Sequence, residues 1–166
     1  MVDQLTLRKG IELAVTTEKN GAAFYKHLAE EFRDNKELSE MFSILSADEV
    51  THEKEFRALL KNLPSEEAIA DREEKYQYLA AASMSEFFTG EKGAFKDSEL
   101  IRTRDDALAR AFALEKATLL YYHAMKDILG DHEALDAIIK AEKSHLVSVM
   151  KYMLTGAKMR GLSDTW

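Results

Sequence analysis

Four glutamates and two histidines recur in an order that chemistry can use. Glu49 stands three residues before His52, and Glu142 three before His145. On an α-helix, residues three apart share a face, so each pair can aim a carboxylate and an imidazole at one point. Two further acids precede the pairs. Glu18 stands before Tyr25 and Glu115 before Tyr122, each with six residues between. That spacing is about two helical turns, so each Glu again shares a face with its Tyr. Two helices carrying one Glu each and two carrying Glu-x-x-His are what a di-metal carboxylate site in a four-helix bundle needs. The metal ligands read this way are Glu18, Glu49, His52, Glu115, Glu142 and His145, with the hydroxyls of Tyr25 and Tyr122 as candidates to orient ligating carboxylates.

One Glu-x-x-His is nearly expected by chance in an acidic chain with five histidines. Two copies, each following a Glu-x6-Tyr, are not. All four acids also fall on apolar stripes, and burying four carboxylates without cations is prohibitive. Two divalent ions supply the counter-charge. Carboxylate and imidazole donors suit Fe(II), Mn(II) or Zn(II) and argue against Cu(I). Six side chains on two ions leave positions where an oxidant can bind. His27, His123 and His132 lack a Glu three residues before them and read as surface residues.

The elements that must position these groups follow from periodicity. A first helix is expected from about Leu5 to Phe32, with Ile11, Ala14, Glu18, Ala22, Tyr25 and Ala29 on one stripe. After a polar turn with Asp34 or Asn35 as N-cap, a second runs from about Lys36 to Asn62 and stops before Pro64. Its inner face carries Phe42, Leu45, Glu49, His52, Phe56 and Leu59. A third begins at Thr103, with Asp106 completing a capping-box-like pattern, and ends at Gly130; Leu108, Ala111, Glu115, Thr118, Tyr122 and Met125 line it. Asp131 is expected to cap a fourth, which Gly156 should stop near Thr155. Between the hairpins lies a crossover over about 64–102, helical from about Glu66 to Phe88. Its apolar edge, from Tyr76 and Leu79 to Met84, Phe87 and Phe88, is a candidate dimerisation surface.

The midpoint of Glu18 and Glu49 falls in the first turn, and that of Glu115 and Glu142 near the second. In antiparallel hairpins the carboxylates therefore stand level. Glu115 follows Glu18 by 97 residues and Glu142 follows Glu49 by 93, so the chain reads as two related hairpins. The expected architecture is all-α: a four-helix bundle of two antiparallel hairpins over residues 1–156, joined by a long, partly helical crossover, with a short tail at 157–166.

Bulk properties narrow the function. With 166 residues, 46% hydrophobic and 32% charged, the chain has the composition of one soluble globular domain. A net charge of −7, with bases interspersed among acids, argues against a nucleic-acid partner. The absence of cysteine removes disulfides, zinc ribbons, iron–sulfur clusters and thiol catalysis. No 18-residue apolar run crosses a membrane, and Met1 to Leu5 lacks the features of a signal peptide, so the expected setting is cytoplasmic.

The stretches Glu18-Lys-Asn-Gly-Ala-Ala-Phe-Tyr25, His27-Leu-Ala-Glu30 and Met41-Phe-Ser-Ile-Leu-Ser-Ala-Asp-Glu-Val-Thr-His52, with Phe56, resemble the ferritin-like superfamily, and within it the rubrerythrin-like erythrin group. The third and fourth helices repeat the pattern more loosely. The resemblance implies two iron ions per chain, with Glu49 and Glu142 bridging or chelating, Glu18 and Glu115 terminal, and His52 and His145 on one iron each. It implies reduction of hydrogen peroxide, or reaction with dioxygen; a homodimer is expected from the apolar edge of the crossover. Iron oxidation for storage and a helical interaction module with a structural metal are the alternatives. There are two departures. Without cysteine there is no rubredoxin site in this chain, so turnover needs an external electron donor such as a rubredoxin-type protein. The additional carboxylates of rubrerythrins proper are replaced by Thr118 and His145, so a redox-linked exchange of ligands is not carried over.

Overall fold

A computed structural model describes residues 6–63, 73–83, 95 and 97–159. Five α-helices account for nearly all of them: α1 (Leu7–Glu31), α2 (Lys36–Asn62), α3 (Glu73–Ser83), α4 (Arg104–Leu129) and α5 (Glu133–Met159). No strand occurs among the described residues. α1, α2, α4 and α5 form an all-α, ferritin-like four-helix bundle, and α3 lies in the crossover between its two hairpins.

Local sequence sets the helix ends. The side chains of Thr6, Asn35 and Thr103 accept from the backbone N–H groups of Lys9, Leu38 and Asp106, satisfying donors that a helix start leaves unpaired. Gly130 ends α4 at φ 72°, a conformation that costs a residue without Cβ little. Two details of the fourth bundle helix depart from expectation. It begins at Glu133, and the Asp136 N–H bonds the His132 carbonyl, so His132 and not Asp131 occupies the cap position. It also runs through Gly156 to Met159. A single helical glycine costs only about 1 kcal/mol against alanine, too little to end a helix by itself.

The hairpins pack so that α1 opposes α4 and α2 opposes α5, each antiparallel. Tyr121 reaches from α4 to the Gly10 carbonyl of α1, and Tyr152 from α5 to the Glu37 carbonyl of α2. α2 and α4 consequently run parallel, and the chain must return along the bundle between them. α3 makes part of that return. Leu79 is fully buried and packs with half-buried Tyr76 against α1 and α4. That portion of the apolar edge is thus spent inside the chain, while Met84, Phe87 and Phe88 lie outside the described residues. The limits expected for the crossover helix, Glu66 and Phe88, do too.

The apolar core is divided. One cluster gathers Ile11, Val15, Phe56, Leu59, Met125, Ile128 and Ile138; the other gathers Phe24, Leu28, Phe42, Leu45, Leu108 and Val149. Along every bundle helix the chemistry-bearing residue falls between the two. Glu18 separates Val15 from Phe24, and Glu49 and His52 separate Leu45 from Phe56. Helix periodicity has built a bundle with apolar ends and a polar belt at mid-height.

Candidate metal centre

All six expected ligands meet in that belt. Glu18, Glu49, His52, Glu115, Glu142 and His145 are each 4% exposed or less. They fall into two overlapping groups, Glu18–Glu49–His52–Glu142 and Glu49–Glu115–Glu142–His145, whose ligand atoms in each group all lie within 4.8 Å of one another. Glu49 and Glu142 belong to both. Glu18 and His52 belong to one group only, Glu115 and His145 to the other.

The nitrogens that face inward are both Nδ1. His52 Nδ1 lies 2.8 Å from Glu142 Oε1 and 3.4 Å from Glu18 Oε2. His145 Nδ1 lies 3.5 Å from Glu49 Oε1, 3.6 Å from Glu115 Oε2 and 3.8 Å from Glu142 Oε1. Yet Glu18 Oε2, Glu115 Oε2, Glu142 Oε1 and both Nδ1 atoms are fully buried without a directed hydrogen bond. Buried polar atoms are almost always paired, and an orphaned one costs about 1–3 kcal/mol. Five of them converging on one volume fit a cation. The donor set, carboxylate oxygen and imidazole nitrogen, suits divalent iron, manganese or zinc.

The remaining lone pairs are anchored from outside. The Tyr25 hydroxyl donates to Glu115 Oε1, and the Tyr122 hydroxyl to Glu18 Oε1. Each tyrosine shares a helix face with one glutamate and supports the other hairpin's glutamate, so the exchange ties the two hairpins together. Thr118 Oγ1 lies 3.3 Å from Glu142 Oε2. On the opposite side, a Cβ at Gly21 would come within 3.0 Å of Glu49 Oε2, so that carboxylate rests against bare backbone.

Without cations the cluster offsets its charge with protons. Burial pushes the Glu142 carboxyl up, and the Glu115 charge adds to it, to about 8. Burial, then the charges of Glu18 and Glu142, raise Glu49 well above the carboxylate range. Burial opposes the charged imidazoles, but neighbouring carboxylates outweigh it. Glu142 and Glu18 lift His52 to about 10, and chiefly Glu115 lifts His145 to about 9. Glu18 goes the other way. Burial raises it, and the neighbouring Glu49 and His52, with the Tyr122 hydroxyl, more than reverse this. Burial, then the nearby carboxylates, keeps both tyrosine hydroxyls protonated as donors.

One contributor was not foreseen. Asp48 Oδ2 lies 3.0 Å from His145 Nε2, the ring nitrogen that faces away from the cluster. Asp48 sits next to Glu49 in sequence but points across the α2–α5 seam, which helical spacing on one face does not reveal. The other three histidines are half-buried rather than on the surface; His27 Nε2 lies 3.1 Å from the Ser98 carbonyl, binding α1 to the end of the crossover. None of them joins the cluster.

Among curated proteins and among solved structures, no match is found. A family model, Rubrerythrin, does match, over residues 9–153. That span contains all six clustered glutamates and histidines and both tyrosines that contact them, and the chain belongs to the rubrerythrin family.

Proposed function

We propose that this chain is a non-haem di-iron oxidoreductase that reduces hydrogen peroxide, or dioxygen, with electrons from an external donor. The observation that carries the reading is the pair of overlapping four-residue groups sharing Glu49 and Glu142, with their inward-facing atoms unpaired. Glu49 and Glu142, which belong to both groups, would serve both ions, with Glu18 and His52 holding one and Glu115 and His145 the other. Two ferrous ions held there would supply one electron each and draw both oxygens of an O–O bond into one site. For peroxide the balance is two electrons and two protons per molecule, giving two waters.

The residues around the ligands fit this use. The two tyrosine hydroxyls fix the terminal carboxylates, so the ligands are oriented before an ion arrives. Phe56 packs against the Tyr122 ring, and Tyr25 against Phe42, so aromatic rings border the belt on both sides. With every ligand 4% exposed or less, the oxidant has to be small. Peroxide and dioxygen meet that condition and a bulky organic substrate does not.

The test is a stoichiometric reaction. Protein loaded anaerobically with Fe(II) should consume about one peroxide per two irons, and the iron should return to the ferrous state with a chemical reductant. Oxidation by dioxygen alone, with peroxide left unconsumed and iron accumulating beyond the site, would replace this reading with an iron-oxidising storage role.

A further inference from the structure

The two ends of the cluster differ in what stands behind them. His145 donates from Nε2 to Asp48, whose carboxylate is 47% exposed. In the neutral ring that a metal requires, this bond selects the tautomer whose Nδ1 lone pair faces Glu49, Glu115 and Glu142, and makes that nitrogen a stronger donor. α2 and α5 run antiparallel, and Asp48 stands opposite His145. The same register sets position 141 opposite His52. The residue there is Ala141, whose side chain can accept nothing. The repeat of the hairpins leads to the same place, since 93 residues separate Asp48 from Ala141 as they separate Glu49 from Glu142.

We infer that the two metal positions are unequal: the one framed by Glu115 and His145 binds more tightly because Asp48 is its positioning residue, and the one framed by Glu18 and His52 fills last and empties first. The inference rests on the reading of the cluster as a two-metal site. Removing an outer hydrogen-bond partner of a ligating histidine typically costs about 10–100-fold in metal affinity, which sets the separation expected between the steps.

The test is an anaerobic Co(II) titration of the metal-free full chain, followed by visible absorption and calorimetry. The wild type should bind in two steps separated by about 10–100-fold. Asp48→Ala should weaken only the tighter step, bringing the two together. Asp48→Asn keeps an acceptor oxygen and should recover part of the separation. Ala141→Asp places an acceptor opposite His52 and should tighten only the weaker step. Two equal steps in the wild type, or an Asp48→Ala variant that shifts both steps alike or neither, would overturn the inference while leaving the two-metal reading intact. Failure of the wild type to bind two ions would overturn that reading, and the inference with it. Asp48 is half-exposed, so its variants should fold, and a thermal unfolding scan checks it.

Discussion

At the scale of single residues, Gly21 shows how closely backbone and ligand are fitted. Alanine there would raise helix propensity by about 1 kcal/mol. Its Cβ would also meet Glu49 Oε2 at 3.0 Å and displace a carboxylate shared by both groups. Gly21→Ala should therefore weaken metal binding, while in the metal-free bundle the propensity gain is set against the shift forced on Glu49. Paired thermal unfolding and metal titration check this, and a variant improved in both would show that Glu49 is not held in this position. That these six residues share inward faces was legible in the sequence because helical spacing reports which side chains lie together. Asp48 and the tyrosine exchange were not, because both are contacts between helices. Spacing along one helix cannot say that Tyr25 serves Glu115 rather than the Glu18 on its own stripe.

At the scale of elements, the bundle helices could be read nearly to their ends where a capping side chain marks the start, as Asn35 and Thr103 do. Asp131 misled because a capping residue type next to a helix need not hold the cap, and Gly156 because one glycine is a weak stop beside a long amphipathic pattern. The crossover was legible as helical but not in how it docks, since docking depends on where α1 and α4 leave room. Leu79 answers that: it is fully buried against both. Leu79→Ala should destabilise the chain by about 2–5 kcal/mol through the lost contacts and the cavity left behind. Its effect on metal affinity should be small, because Leu79 lies in the apolar cluster at one end and not in the belt. Chemical denaturation measures the first quantity and metal titration the second. A change below about 0.5 kcal/mol, the range of ordinary surface substitutions, would mean that α3 is not docked this way in solution.

At the scale of the whole molecule, the polar belt makes stability depend on pH and metal together. In the metal-free fold Glu142 titrates at about 8 instead of 4.5, and His52 and His145 at about 10 and 9 instead of 6.5. The folded state therefore holds protons that the unfolded chain releases, and its stability falls as pH rises. The Glu142 contribution is complete below 4.5 and lost by about 8. Those of the histidines are complete below 6.5 and lost through about 9 to 10. Glu18, lowered, opposes the trend, and Glu49, raised well above the carboxylate range, reinforces it. The metal-free protein should melt at a lower temperature at pH 9 than at pH 6, and a rising or flat profile would contradict the proton balance drawn here. Metal replaces those protons, so loading should release them and grow tighter as pH rises.

The central claim is that four glutamates and two histidines, contributed equally by two hairpins, hold a pair of ions bridged by Glu49 and Glu142. Elemental analysis of anaerobically reconstituted protein, wild type beside Glu142→Ala, tests it most directly. Since Glu142 belongs to both groups, the account predicts about two irons per chain in the wild type and loss of both in a variant that remains folded. One iron or none in the wild type, or two retained by Glu142→Ala, would contradict it.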